Sequence, residues 1–280
     1  MKHNILLDKV IRVLYNRNLI PRWLMDAYMV KIADWPTCYG NFNNYHELQR
    51  ELNYYQNKEV LKEAKKHFIE LKNNPSKAKI NKSVLDGFAL ASRNTKASIN
   101  VLDVGGSIGT AYYACLHTYG PRINRWEICE RSPIVSMLND MSDEKVLYIS
   151  NIGDSSSEID LAVISGTLQY TNDPFGLIQD IVNRKPYYIV IVNTPFYENK
   201  TRLTIQLSWK KEEGYSTRNR YPSWIINEDD MMQMLLKKGY EKIDAFDSLH
   251  QTIYIQKYGW LRYQGFCLKK MVHKVASSHL

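Results

Sequence analysis

Cysteine is scarce and scattered: Cys38, Cys115, Cys129 and Cys267 form no C-x-x-C pair. That argues against a disulfide framework or a zinc site and for reduced, structural thiols in a cytoplasmic protein. Long apolar runs are missing too. The longest near the start is broken by Lys9, Arg12, Arg17 and Arg22, too short for a membrane span. No uncharged core precedes a small-residue cleavage site, so a signal peptide fits poorly. Repeats, low-complexity tracts and RNA- or DNA-binding motifs are absent, and nucleic acid is not favoured as a partner.

What remains is an ordinary globular composition, 44% hydrophobic and 24% charged, with an unusual 20 tyrosines. Tyrosine suits both a polar-lined cleft and a core in which its hydroxyl finds a partner. The length of 280 residues accommodates one large domain with an accessory segment. The formal charge of +8 is unevenly spread. Lys2, Lys9, Arg12, Arg17 and Arg22 against Asp8 give residues 1–22 a net +4, half of the excess. A basic start of this kind points to an anionic membrane surface or an acidic partner. Leu6, Val10, Val13 and Leu14 fall at helical spacing, and Trp23, Leu24, Ala27, Tyr28 and Val30 continue an apolar face beyond Pro21. Residues 1–32 therefore read either as helices packed on the main domain or as a peripheral anchor lying on an anionic membrane.

Residues 35–45 are turn-rich and aromatic, a charged helix is predicted from His46 to Asn73 with Pro75 beyond it, and another from Lys82 to Arg93. Residues 1–97 thus form a mainly helical lead-in. From Asn100 onward strands and helices alternate, which predicts an α/β fold with a parallel sheet and helices on both faces over residues 98–272. A polar and aromatic insertion covers about 194–226, a helix runs from Asn227 to Lys238 with Gly239 as its C-cap, and strands at 241–246 and 265–269 close the domain.

The most telling segment is Val101-Leu102-Asp103-Val104-Gly105-Gly106-Ser107-Ile108-Gly109-Thr110, an apolar strand running through a small-residue turn into a helix. Twenty-one residues after Gly109, the apolar run Trp126 to Cys129 ends on Glu130. Glycines let a backbone approach a ligand closely, and an acid at the end of the next strand accepts hydrogen bonds from ribose hydroxyls. The dinucleotide spacing G-x-G-x-x-G fails here, because Gly105, Ser107 and Thr110 occupy its three places. An acid, one residue and then G-x-S-x-G leans instead to S-adenosylmethionine (SAM), whose lack of pyrophosphate makes phosphate-directed helix geometry less essential. Farther on, Gly166, Thr167, Leu168, Gln169 and Tyr170 end a strand that a doubly wound sheet sets beside the first, facing the cleft.

Read together, these pieces resemble a family of SAM-dependent methyltransferases encoded among bacterial surface-polysaccharide genes. The similarity is carried by Val101–Gly109, Trp126–Glu130, Ser165–Tyr170 with Asp173-Pro174, and Asn193-Thr194-Pro195-Phe196. It continues through Arg202–Gln206, Tyr221-Pro222-Ser223-Trp224 and Phe246-Asp247-Ser248-Leu249, with Gly40–Tyr45 and Leu19-Ile20-Pro21 nearer the start. The resemblance implies a Rossmann-like doubly wound methyltransferase sheet with a mainly helical amino-terminal extension. It also implies that Asp103, Gly105, Gly106, Ser107 and Gly109 hold the amino-acid end of SAM and Glu130 its ribose. Asn151 and Asp154 both stand where adenine would be contacted.

The family defines no acceptor residues, so those come from chemistry. Methyl transfer is an in-line displacement in which alignment and water exclusion do most of the work, and a base is needed only for a poor nucleophile such as a sugar hydroxyl. Thr194, Arg202, Thr204, Gln206, Tyr221 and Trp224 join Gln169 and Tyr170 as acceptor-side candidates. Arg202 suits a carboxylate or phosphate held bidentately, or equally a loop salt bridge. Asp247 and His250 are the candidate bases, expected just beyond the sixth strand; His117 reads as a surface residue. The expected activity is O-methylation of a carbohydrate or surface-glycan precursor. Alternatives are a non-catalytic SAM-fold scaffold, a nicotinamide oxidoreductase, and an esterase built on Gly153-Asp154-Ser155 with Asp247-Ser248-Leu249-His250.

Overall fold

Runs such as Val101-Leu102 and Leu161–Ile164 are apolar at successive positions, as a strand must be when both faces of its sheet are covered. The computed structural model describes residues 10–271 apart from 12, 16, 18, 33–34, 51–57, 94–97, 156–157 and 213–214, and the side chains of 58–60, 209–212, 215–218 and 247–251 also lie outside the description. Five parallel strands form its centre: β2 (Ile99–Val104), β3 (Ile123–Cys129), β4 (Val146–Ile149), β5 (Leu161–Ser165) and β6 (Tyr188–Thr194). They lie in the order β4-β3-β2-β5-β6. Beyond β6 come β11 (Gly259–Lys270), antiparallel to it, and β10 (Tyr240–Ile255), antiparallel to β11.

Alternate strand residues enter different cores, as the two-residue period of a strand demands. Val101, Trp126, Ile128, Leu161, Val163 and Val190 pack against α3 (Lys58–Asn73), α4 (Lys82–Arg93), α5 (Thr110–Tyr119) and α6 (Ser132–Leu138). Leu102, Val104, Ala162, Ile164, Ile189 and Leu268 pack against α7 (Pro174–Asn183) and α8 (Glu228–Lys237). The sheet is therefore doubly wound, as expected. Local signals set the helix ends. Asp173 Oδ1 accepts from the N–H groups of Phe175 (3.0 Å) and Gly176 (2.9 Å), with Pro174 opening α7. Asn227 Oδ1 accepts from Asp230 N at 2.7 Å, and Gly239 takes φ +84° just past the end of α8.

Three features depart from the sequence-based expectation. The aromatic stretch predicted as a turn contains β1 (Thr37–Phe42), which lies in the same sheet between β10 and β8 (Arg202–Glu212). The lead-in is thus woven into the main sheet. Its asparagine- and glycine-rich composition hid a strand whose partners are more than 150 residues away. Secondly, the insertion is a long antiparallel hairpin of β8 and β9 (Tyr215–Asn227), in register from Arg202↔Ile225 to Glu212↔Tyr215. With β7 (Phe196–Tyr197), which pairs with β9, it brings the sheet to eleven strands. Thirdly, β10 runs far beyond residue 246, so Asp247 and His250 lie inside this strand and not past its end.

At the amino terminus, α1 (Arg22–Lys31) packs Met25 and Met29 against Tyr254. Asp26 accepts from the Tyr254 hydroxyl at 2.8 Å and from Lys257 N at 3.1 Å. A short helix, α2 (Tyr45–Arg50), follows β1. Among the described residues no helix is long and apolar enough to cross a membrane.

Candidate functional site

The chain leaves β2 for β3 on one side and returns to β5 on the other, so the carboxyl ends of β2 and β5 flank a switch point. A crevice for a ligand opens at such a point. The turn from β2 into α5 occupies it. Gly105 (φ +72°) and Gly109 (φ +85°) are left-handed, the conformation for which a side chain is penalised. A Cβ added at Gly105 would stand 2.8 Å from the Cβ of Thr167 and closer still to its Oγ1 and Cγ2. Thr167 Oγ1 in turn donates to Val104 O at 3.0 Å. The ends of β2 and β5 thus touch through a contact only glycine allows.

Ser107 takes the same left-handed backbone, φ +51°, that glycine usually supplies. Its N–H donates to Glu130 Oε2 at 3.1 Å, while Glu130 Oε1 accepts from Arg131 N at 2.8 Å. The acid at the end of β3 is therefore turned onto the glycine-rich turn. Asp103 lies beneath. It is 1% exposed and accepts from Trp126 Nε1 at 3.2 Å. Burial pushes its carboxyl up to about 7; the indole N–H works against that shift and Glu130 adds to it.

The ends of β5 and β6 are tied together by amides. Gln169 Nε2 donates to Asn193 O (3.0 Å), Asn193 Nδ2 to Ser165 Oγ (3.2 Å), and Asn81 Nδ2 to Asn193 Oδ1 (2.8 Å). Gly166 and Asn193 are both left-handed, at φ +65° and +56°. Gln169 Oε1 is buried with no partner among the described residues, an orphaned acceptor at the edge of the crevice.

Farther out, the insertion hairpin closes on the same loop. Tyr170 donates to Gln206 Oε1 at 3.2 Å, and its ring meets Tyr221 edge-on at 5.5 Å. Tyr221 donates to Ser208 Oγ, Ser223 Oγ donates to Gln206 Oε1 at 3.1 Å, and Trp224 Nε1 donates to Thr171 O at 2.9 Å. Tyr45 OH and Arg131 Nη2 both donate to the carbonyl of Tyr170. Burial raises the Tyr170 and Tyr263 hydroxyls well above the ordinary phenol range, so both stay protonated at neutral pH.

The structure thus gathers Asp103, Gly105, Gly106, Ser107, Gly109, Glu130, Gly166 and Thr167 around one turn, with Gln169, Tyr170, Gln206, Tyr221 and Trp224 on the adjoining wall. Asn151 is exposed just past the end of β4, beside the Ile152–Asp154 turn. Four candidates are used differently. Leu168 is a fully buried member of the core, so only its backbone faces the loop. Thr194 and Thr204 are buried, donating to Val192 O and Ser223 O. Arg202 faces a groove that none of the turn residues lines. Asp247 pairs with Gln264, which pairs with Thr194, putting its backbone level with the carboxyl end of β6. The register then shifts between Asp247 and Thr252, the interval holding His250; both side chains lie outside the described residues. His117 is exposed on α5. Asn81, Tyr45, Arg131 and Tyr263 had no local signal, because each reaches the site only through tertiary contact.

No protein-family model matches the chain, and no curated protein matches it in sequence. Solved structures of similar path include the 1,6-didemethyltoxoflavin-N1-methyltransferase of Burkholderia thailandensis, solved with S-adenosylhomocysteine. It is 11% identical with a TM-score of 0.46, over 84% of this chain and 93% of that one. An S-adenosylmethionine-dependent methyltransferase of Clostridium acetobutylicum is 9% identical with a TM-score of 0.47, over 74% and 99% of the two chains. CalS10, a SAM-bound amino pentose methyltransferase of Micromonospora echinaspora, is 10% identical with a TM-score of 0.46, over 72% and 96%. At this level the likeness concerns chain path and transfers no residue role.

Proposed function

We propose that this protein is a class I SAM-dependent methyltransferase acting on a hydroxyl of a carbohydrate or surface-glycan precursor. The observation that carries the reading is the turn at the switch point, where Glu130 reaches across to the N–H of Ser107. A carboxylate so placed exchanges that hydrogen bond for the paired hydroxyls of a ribose, as the corresponding acid does in other nucleoside-binding sheets. The residues fit the donor in other respects. Gly105 and Gly109 bring backbone to the crevice without side chains, and the buried Asp103 beside Gly106 suits the cationic amino-acid end. The G-x-S-x-G spacing disfavours a dinucleotide, and the Gly153-Asp154-Ser155 block stands after β4, away from the switch point.

SAM supplies a methyl group already activated on a sulfonium. The chain's own task is then to orient the acceptor and keep water out. The wall of Tyr170, Tyr221 and Trp224 supports a sugar acceptor, because aromatic faces pack on sugar rings while their polar edges stay bonded. Asp247 and His250 remain the proposed bases for the hydroxyl proton, with the strand irregularity around them as support, since bulges often re-aim side chains at active sites. Calorimetric titration with S-adenosylhomocysteine tests the donor assignment. Binding is expected, weakened at least tenfold by Glu130→Ala without change in thermal stability. No binding to the wild-type protein refutes the reading, and unchanged affinity in the variant refutes the ribose role.

A peripheral place on an anionic membrane is also proposed, from the exposed side of α1 and of the described residues that precede it. While Met25 and Met29 face the domain, Trp23 is 70% exposed and Leu19 66%. Val13, Leu24 and Ile32 are exposed with them, and so are Arg17, Arg22 and Lys31. Exposed apolar groups among cations match the boundary of an anionic bilayer. Trp23→Glu is expected to lower partition onto phosphatidylglycerol vesicles about tenfold, from the transfer energy of one indole; equal partition refutes the membrane role.

A further inference from the structure

The insertion and the turn between β10 and β11 enclose a second groove of about 500 Å³, lined by Gly40, Asn41, Lys200, Arg202, Gln256 and Tyr258 together with Asn199, Thr201 and Lys257. That volume suits a ligand the size of one or two sugar rings. Its charge is one-sided: Lys200, Arg202 and Lys257 line it and no carboxylate does. Asp26, behind the turn, is engaged by Tyr254 OH and Lys257 N.

Arg202 is the informative residue. Its guanidinium lies 3.6 Å over the ring of Tyr258 and 5.9 Å from that of Tyr197, which fixes the plane of the fork. Its Nε and Nη2 are nevertheless buried with no acceptor among the described residues. Buried cationic N–H groups left in this way cost stability, and stacked, oriented guanidinium is the usual receptor for a carboxylate or phosphate taken bidentately. The amides of Asn41 and Asn199 add hydroxyl-binding capacity.

We infer that this groove binds an anionic sugar, with Arg202 on its phosphate or carboxylate and Lys200 and Lys257 completing the charge. The inference goes beyond the reading above and does not depend on it, because this groove is lined neither by the turn at the switch point nor by the wall of Tyr170, Tyr221 and Trp224. Binding is measurable with no methyl donor present.

The test is calorimetry on the full chain at low salt with glucose 6-phosphate, galacturonic acid and neutral glucose, alongside S-adenosylhomocysteine. At least one acid should bind tenfold or more tighter than glucose, and 0.5 M salt should weaken it severalfold. Arg202→Gln should lose at least tenfold in acid affinity. Lys200→Gln, an exposed site that leaves folding untouched, should lose about threefold, with S-adenosylhomocysteine binding unchanged in both variants. Equal affinity for acids and glucose, no binding of either acid, or wild-type affinity in both variants overturns the proposal. Acid binding in a protein that ignores S-adenosylhomocysteine would remove the donor reading and leave the groove standing.

Discussion

Replacing Gly105 by alanine tests the crevice at its tightest point. The backbone there is left-handed, φ +72°, which costs a residue with a Cβ about 1–2 kcal/mol. The added methyl would come within 2.8 Å of Thr167 Cβ and nearer to Oγ1 and Cγ2, so Thr167 must move. Moving it breaks the 3.0 Å hydrogen bond to Val104 O, for about another 1 kcal/mol. Residual overpacking brings the total to roughly 3 kcal/mol or more. For a chain of this size that is a fall in Tm of about 6–12 °C. Denaturant unfolding and scanning calorimetry read it directly, and S-adenosylhomocysteine affinity should fall with it because β2 and β5 are pushed apart. The double variant Gly105→Ala/Thr167→Gly isolates the contact: its loss should be smaller than the sum of the single losses by about 1–2 kcal/mol. A single-variant loss below about 0.5 kcal/mol, or simple additivity, would show that the two loops do not meet as described.

Asp103 should leave a signature in the pH dependence of stability. Its carboxyl is raised from 3.8 to about 7 in the fold, so between those values the folded state holds a proton that the unfolded state has released. Stability therefore falls as pH rises from about 4 to about 7 and levels above, by roughly 4 kcal/mol from this group. Asp103→Asn should remove that slope while keeping an acceptor for Trp126, and a pH-independent difference between the two proteins in urea unfolding would refute it. At the other end of the domain, Asn227→Ala should cost about 1 kcal/mol through loss of the α8 cap, measured as a lower urea midpoint at unchanged slope.

Much of the fold was legible because its signals are local. The limits of α4, the start of α8 at Asn227, the Gly239 stop and the run into Gly105 each depend on a few neighbouring residues. β1 was not legible. Its six residues carry turn-forming composition, and they form a strand because Tyr254 and Leu207 offer open edges on either side. The hairpin of β8 and β9 escaped for a similar reason: polar alternation in a strand with one open face looks like loop until its partner is known.

The amino-acid sequence by itself determined the turn that borders the crevice. Strand, glycines, helix and Glu130 lie close enough along the chain for spacing to specify geometry, and even the serine at 107 follows, once its left-handed backbone is seen to do the work of glycine. Tertiary structure alone decided what surrounds that crevice. Tyr45, Asn81 and Gln206 reach the loops after β5 and β6 from remote segments, and Arg202 is drawn away to a stack on Tyr258 in a different groove. The physical reason is the range of the forces involved: backbone torsion and capping act within a few residues, whereas the wall of Tyr170, Tyr221 and Trp224 exists only where distant side chains meet in three dimensions.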